Sequence, residues 1–348
     1  MTEEDLTSDG TDGFRQQTLR FSILIANYNY GRFVADAIDS ALAQRWPFVE
    51  VIVVDDGSTD NSREIIATFG SRIRTILQSN GRQRSANNAA FAASSGDVVV
   101  FLDADDILDP AFAPTVARAW RPGLSKIQVQ MKRVTADRRP IGIVVPAIAS
   151  APTPEQVRDW MTSTGEYPTP PGSGNAYSRD FLRKFFPIGE DCDSSTDSTC
   201  LALAPLLGDV VTVLEPLAEY RIHGSNDSSL KASPDRFGRE VARAYLRHGN
   251  AAAACDQLGL PGPRANCLRR GRHLLQLRAA SLRLAPRLHP AIAGGRWRTL
   301  ADALRSLLPY GNESVVKRLL IAGWTVATLI APRRLARVLI DRRFARSG

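Results

Sequence analysis

The feature that most constrains this chain is an alternation near its start. Short apolar runs at 21–26, 49–54, 73–77 and 98–102 take turns with segments at 32–43, 60–66 and 85–94. In the first of those segments Phe33, Ala37, Ile38, Ala41 and Leu42 recur at helical spacing, and the third is alanine-rich. Runs this short, mostly apolar and closed by turn residues, read as strands, that at 49–54 as a buried one. Asp60 is the expected N-cap of a helix through Ile65 and Ile66. Strand and helix in this order predict an α/β fold: a mostly parallel sheet with helices on both faces.

The same order locates a site. In open sheets of this kind ligands bind beyond the carboxyl ends of the strands. Asn27-Tyr28-Asn29, the stretch Asp55 to Asp60, and Asp103-Ala104-Asp105-Asp106 all follow strands directly. One such cluster is a loop; three on one edge make a candidate site. Asp103 and Asp105, one residue apart, suit a hard cation such as Mg²⁺ or Mn²⁺, which takes a few carboxylates plus substrate phosphates. An isolated Asp-x-Asp is more often a solvated turn capping the next helix, here near Pro110; its position favours the metal reading. In Asp55-Asp56-Gly57-Ser58-Thr59-Asp60 a carboxylate suits a nucleobase imide and Gly57 permits a tight turn, while a simple capped loop is the competing reading.

Beyond about 121 the pattern weakens. The stretch 127–134 alternates like a half-buried strand, and 152–171 reads as a proline-rich loop with a short helix near 157–161. Gly172-Ser173-Gly174 reads as a flexible turn, 201–207 as a helix, and 210–214 as a strand ending at Glu215-Pro216. From Phe237 the chain looks helical, broken at Pro261-Gly262-Pro263, Pro290 and Pro309-Tyr310-Gly311.

The formal charge of +8 hides a division: residues 231–348 hold 23 Lys+Arg against 6 Asp+Glu, so the first 230 residues carry −9. Four cysteines, Cys192, Cys200, Cys255 and Cys267, are too scattered for a metal clamp and too few for a disulfide framework. They are expected to be free thiols in a reducing compartment. The polar, acidic start lacks the basic-then-apolar pattern of a secretory signal, which leads to a cytoplasmic expectation. No apolar run reaches the ~18 residues that would cross a bilayer.

Several blocks now stand in order: Ser22-Ile-Leu-Ile-Ala-Asn-Tyr-Asn29, Val53-Val-Asp-Asp-Gly-Ser-Thr-Asp60, Asn80-Gly81 through Asn88, and Gly96-Asp97 through Asp106. Together they resemble the successive motifs of the family-two inverting glycosyltransferases. Gly174-Asn175-Ala176-Tyr177, Thr196-Asp197 and Glu215-Pro-Leu-Ala-Glu-Tyr-Arg-Ile-His-Gly224 match less tightly, and the likeness spans 20–228. The resemblance implies a Rossmann-like, A-type glycosyltransferase fold and transfer of a sugar from a nucleotide-diphospho-sugar, a UDP-sugar first, to an acceptor hydroxyl. It implies Ala26, Tyr28 and Asp56 at the nucleobase, with Tyr28 stacking, and Gln83, Arg84 and Asn88 near ribose and diphosphate. Asp103 would touch ribose or sugar, Asp105 would hold Mn²⁺ or Mg²⁺, and His223 would be near the diphosphate, a further metal ligand. Asp197 would be the general base. The family often has an acidic pair there; here Thr196 precedes Asp197, and Asp191 and Asp193 are rival carboxylates.

The expected organisation is an acidic N-terminal segment, 1–18, a catalytic domain, 19–230, and an arginine-rich helical region, 231–348. That region has three readings. Nucleic-acid binding is disfavoured by the lack of a known module and by sparse aromatics. A solvated helical surface is the plain alternative. The third is an anionic membrane surface, because 319–331 carries Trp324 between Lys317-Arg318 and Arg333-Arg334. Such an enzyme would sit peripherally on the inner face of the plasma membrane, with a glycan or lipid-linked acceptor, in cell-surface glycan or glycolipid synthesis. Two competitors remain. A sugar-1-phosphate nucleotidyltransferase would need a glycine-rich loop where Asn27-Tyr28-Asn29 stands. An inactive scaffold on the same fold is opposed by Asp56, Asp103, Asp105 and Asp197. A glycoside hydrolase would have no use for a nucleotide pocket.

Overall fold

The computed structural model describes residues 18–190, 192, 195–223, 235–264, 266–309 and 314–344. The chain divides into two compact units: 1–154 with 168–222, and 155–167 with 223–348. The first begins β1 (Phe21–Asn27), α1 (Val34–Leu42), β2 (Val49–Asp56), α2 (Ser62–Ala67), β3 (Arg74–Gln78), α3 (Arg82–Ala93) and β4 (Val98–Asp103). It continues through β5 (Ile107–Leu108), α4 (Phe112–Ala119), β6 (Leu124–Thr135) and β7 (Pro140–Val145). After α5 (Pro154–Thr164), which runs into the second unit, come β8 (Asn175–Ser178), α6 (Thr196–Leu207) and β9 (Asp209–Ile222).

One nine-stranded sheet results, ordered β3-β2-β1-β4-β8-β6-β9-β5 with β7 paired to β6. Strands β1 to β4 are parallel neighbours, whereas β8 runs antiparallel to both β4 and β6. Within the parallel part β1, β2 and β4 are Val/Ile/Leu-rich and mostly buried, as strands covered by helices require, while the edge strand β3 is mostly exposed, Leu77 by 59%. Its register puts Asn27 beside Asp55, Ala26 beside Asp103, and Asp56 beside Gln78. The polar strand ends therefore share one edge.

At the opposite edge Gly96 N–H donates to Ser22 Oγ (2.8 Å) and Glu50 Oε1 (3.1 Å), and Asp97 accepts from Arg20 N (3.0 Å). A Cβ on Gly96 would fall 2.6 Å from Ser22 Oγ. This motif closes the sheet rather than serving the site.

Four local expectations change. Asp60 does not cap α2 as its N-cap residue; Asn61 holds that position, and Asp60 Oδ1 accepts from Ser62 N at 3.0 Å. β6 is buried along most of its length instead of alternating, because β8 and β9 flank it and Lys126 and Gln128 hydrogen-bond within the protein. β9 does not stop at Glu215-Pro216 but continues to Ile222, its register against β6 shifting around Pro216, where a bulge tolerates the missing N–H. Gly172-Ser173-Gly174 is not a loose turn: it is a buried 3-10 turn, fixed by Asn175 Nδ2 donating to the Pro171 and Gly172 carbonyls (2.8 and 3.0 Å).

The second unit adds α7 (Asp235–Gln257), α8 (Arg272–Leu284), α9 (Arg296–Arg305), α10 (Val315–Ile330) and α11 (Arg333–Phe344). Phe237, Val241, Leu274, Leu277, Ile340 and Phe344 share its core. Glu166 explains why 155–167 belongs here: its carboxylate accepts from the N–H groups of His273 (3.2 Å) and Leu274 (2.8 Å), satisfying the N-terminus of α8. Buried Asp302 accepts from Arg269, Arg278 and Arg305 (3.1, 3.0 and 2.9 Å). All four cysteines are free thiols. No described helix is long and apolar enough to cross a membrane.

Candidate active site

At the ends of β1 and β2 the loops are sewn together. Buried Asn27 donates through Nδ2 to Asp55 Oδ2 (3.0 Å) and Ser58 Oγ (3.1 Å). Asp55 Oδ1 accepts from Ser58 N (3.0 Å) and Arg63 Nε (2.8 Å). Burial pushes the Asp55 carboxyl up, but the hydrogen bonds from Ser58, Arg63 and Asn27 outweigh it and hold it below the ordinary range. Asn29, at φ +58°, turns its Oδ1 onto the N–H groups of Thr59 (2.7 Å) and Asp60 (3.3 Å). Asp56 Oδ1 accepts from Gln78 Nε2 (2.6 Å) and Gly81 N (2.8 Å). Gly57 lies at φ +81°, with Asn80 N only 2.7 Å from where a Cβ would be. The expected nucleobase residues Ala26, Tyr28 and Asp56 thus stand on two adjacent strand ends, Tyr28 being 44% exposed.

Beside them Asp103, Asp105 and Asp106 can each turn one oxygen to within 4.8 Å of the others. Asp103 N donates to Ser173 Oγ (3.1 Å), which donates to Asp106 Oδ2 (2.6 Å); Arg221 N donates to Asp106 Oδ1 (3.0 Å). Gln83 Nε2 donates to Asp103 Oδ1 (3.2 Å). Burial first, then the nearby carboxylates Asp197, Asp106 and Asp105, push Asp103 well above the usual carboxylate range. Burial and Asp105 do the same to Asp106, against the Ser173 and Arg221 hydrogen bonds. Crowded, under-compensated carboxylates are the donor set a hard divalent cation takes. Asp106 engages both oxygens, with Ser173 and Arg221 N. His223 follows β9 directly and is not part of that acidic group.

Asp197 lies in the first turn of α6. Its carboxylate rests on Gly172, where an added Cβ would fall 2.2 Å from Oδ2. Thr196, beside it, accepts from Asn87 Nδ2 (3.0 Å), so α3 fixes the start of α6. Lys126 is fully buried, its Nζ donating to Gln128 Oε1 (2.9 Å) and Thr169 Oγ1 (3.0 Å). Burial lowers its pKa well below the usual lysine value, opposed by Cys200 and Asp197. The structure thus brings Asp197 into the field of both Asp103 and Lys126. Asp191 and Asp193, the rival bases, lie outside the described residues.

Two residues expected near ribose and diphosphate, Asn88 and Arg84, also hold backbone. Asn88 uses both ends of its amide on Ile188, donating to its carbonyl (3.0 Å) and accepting from its N–H (2.9 Å). Arg84 Nη1 donates to the carbonyls of Glu190 and Cys192 (both 3.2 Å). Both brace the segment ahead of α6. Sequence reasoning passed over Gly172, Ser173, Asn87, Lys126 and Arg221. Arg221 anchors β9 by stacking over Phe33 (4.8 Å) and pairing with Asp36 (2.8 Å). The Gly-Ser-Gly triplet and the Tyr-Arg-Ile-His block were visible signals, but neither names its long-range partner.

A family model described as glycosyl transferase family 2 matches residues 22–186. The uncharacterized glycosyltransferase alr2836 of Nostoc sp. is 36% identical over 241 residues, covering 66% of this chain and 74% of that protein. This chain is a family 2 glycosyltransferase. The uncharacterized glycosyltransferase EpsJ of Bacillus subtilis is 34% identical over 122 residues, 34% of this glycosyltransferase and 36% of EpsJ. Among solved structures, S. aureus TarS 1–349 in complex with UDP-GlcNAc is similar with a TM-score of 0.57 and 19% identity, over 89% of this glycosyltransferase and 90% of that chain. The mannosyltransferase PcManGT of Pyrobaculum calidifontis, in complex with GDP-Man and Mn²⁺, reaches 0.50 at 19% identity, over 93% and 85%. These likenesses bear on the fold, the A-type of nucleotide-sugar glycosyltransferases.

Proposed function

We propose that this glycosyltransferase moves a sugar from a UDP-sugar to an acceptor hydroxyl with inversion, Asp197 being the general base. The observation that carries the reading is the acidic edge: three carboxylates at the end of β4 with a fourth, on α6, in their field. Asp105 would hold Mn²⁺ or Mg²⁺, with His223 as a further ligand. Such a cation, when bound, neutralises charge on the diphosphate leaving group.

The rest falls to the chain itself. Tyr28 stacks on the base and Asp56 accepts from its imide, with Ala26 lining the pocket; Gln83 orients Asp103 toward ribose and sugar. Asp197 takes the acceptor proton as the acceptor oxygen bonds the anomeric carbon and the bond from that carbon to the diphosphate oxygen breaks. A base on one side and the leaving group on the other suit one in-line displacement. The proposed acceptor is a glycan or a lipid-linked saccharide in cell-surface glycan or glycolipid synthesis, met in the cytoplasm or at the inner face of the plasma membrane.

Thermal unfolding with UDP, GDP and dTDP, each with and without Mn²⁺, tests this on wild type and Asp105→Ala. A ligand held at 100 times its dissociation constant stabilises by about 2.7 kcal/mol. The expected result is a shift with UDP that requires Mn²⁺ and disappears in Asp105→Ala. No shift with any nucleotide would refute the donor site, and a shift with GDP or dTDP alone would replace the proposed base.

A further inference from the structure

We infer that the second unit docks on an anionic lipid bilayer through the exposed apolar face of α10 and α9, with the arginines of α11 meeting the headgroups. A helix on a water-facing surface normally buries one apolar stripe and shows water a charged one. α10 does not. Its inner face is Ile321, Ala322, Thr325, Thr328 and Leu329. Its outer face is Val316, Leu320, Gly323, Ala327 and Ile330, all exposed, at the 4-3-4-3 spacing of one straight stripe. Val316 and Leu320 are each 66% exposed and Ile330 62%. No charged residue lies between Arg318 and Arg333.

The neighbouring α9 adds exposed apolar side chains, Trp297 (83% exposed) and Leu304 (65%), followed just past its end by exposed Leu307 and Leu308, beside exposed Arg296, Arg298 and Arg305. Trp324, which the sequence suggested as the interfacial residue, instead turns inward, donating to the Leu339 carbonyl (3.2 Å) and packing edge-on to Phe344. The exposed indole is the one on α9, and an indole with an apolar body and a polar N–H suits a headgroup boundary.

Charge selects the occupant. Lys317, on α10, and Arg333, Arg334, Arg337 and Arg342, on the following α11, are exposed. Asp302 offers no counter-charge, being buried among Arg269, Arg278 and Arg305. Of the described residues of α9 to α11, Asp341 is the exposed acid. A second copy of this face would set arginine against arginine. A nucleic acid would answer the arginines but not the apolar side chains. An anionic bilayer answers both, as for a basic amphipathic helix lying in the interface.

The docking face is independent of the transfer chemistry, so it is tested without any nucleotide: the full chain is sedimented with phosphatidylcholine vesicles, with and without phosphatidylglycerol. Val316→Glu with Leu320→Glu, and separately Arg333→Gln with Arg334→Gln and Arg337→Gln, follow. Both sets alter exposed side chains, and unchanged circular dichroism and melting certify the fold. Wild type should pellet with the phosphatidylglycerol vesicles and far less with phosphatidylcholine alone. The glutamate pair should weaken that binding about tenfold or more, and the glutamine set should weaken it and flatten its salt dependence. Wild type remaining in the supernatant, binding untouched by the glutamate pair, or sedimentation velocity showing self-association through these residues in place of vesicle binding would each overturn the inference. A donor-site failure leaves this result unaffected, and the reverse holds.

Discussion

Gly172 is a glycine because Asp197 rests on it. A methyl group there would meet the Asp197 carboxylate at 2.2 Å, and the chain at Gly172 is fixed by Asn175, so the carboxylate must move. Gly172→Ala is expected to cut kcat about 10²-fold, since a misplacement near 1 Å costs that much, while Mn²⁺-dependent UDP binding by thermal shift stays near wild type. Loss of both together would mean a folding defect, and an unchanged kcat would remove Asp197 from the reaction. Asp103 and Asp106 make a second residue-level prediction. Their raised folded pKa values mean that, above the unfolded value of about 3.9, the native state holds more protons than the unfolded one. Stability without metal therefore declines as pH rises through that window, and the full cost is present above the folded values. A divalent cation competes with those protons, so Mn²⁺ should raise Tm more in mildly alkaline than in mildly acidic buffer. An equal shift at both, or one that persists in Asp105→Ala, would place the cation elsewhere.

Among the elements, α3 and α6 meet where Asn87 donates to Thr196. Asn87→Ala leaves a buried hydroxyl short of its partner, a loss of about 1–3 kcal/mol by urea unfolding, and should lower kcat more than it raises KM for the donor. A raised KM with kcat unchanged would show that α6 matters for binding alone. This contact also marks the limit of what the sequence discloses. β1 to β4 and the helices between them were legible because the apolar period states element type locally, and the carboxylates at their ends came with them. β6 and β9 were not: the burial of Lys126 and Gln128 depends on neighbours far along the chain, and Pro216 looks like a strand end until its bulge against β6 is seen. Likewise Gly-Ser-Gly read as slack because its anchors, Asn175 and Asp106, are supplied by tertiary structure. Asn88 and Arg84 matched their motif in type and position, yet their hydrogen bonds go to the backbone ahead of α6.

For the molecule as a whole, charge and chemistry are parcelled out differently. The acidic site residues belong to the first unit, while the second concentrates arginine and buries some of it, as at Arg278 with Asp302 and Thr299 (3.0 and 3.2 Å). Arg278→Ala would leave Asp302 Oδ2 without its buried partner while Arg269 and Arg305 stay on Oδ1, and is expected to lower unfolding stability by about 1–3 kcal/mol, with the UDP affinity of the folded protein retained. A parallel loss of UDP affinity would tie that ion pair to donor binding. Within the first unit, donor-side residues near 26–106 and Asp197 are far apart in the chain, yet Ser173 holds Asp103 and Asp106 while Gly172, the very next residue, abuts Asp197. One peptide unit is thus a gauge block between the carboxylates proposed to face the donor and the one that would receive the acceptor proton. Lengthening that block by a single residue would leave every carboxylate in the sequence and reset the gap between them. The product would be a transferase that loads its sugar nucleotide and cannot pass the sugar on, a ready trap for the donor complex.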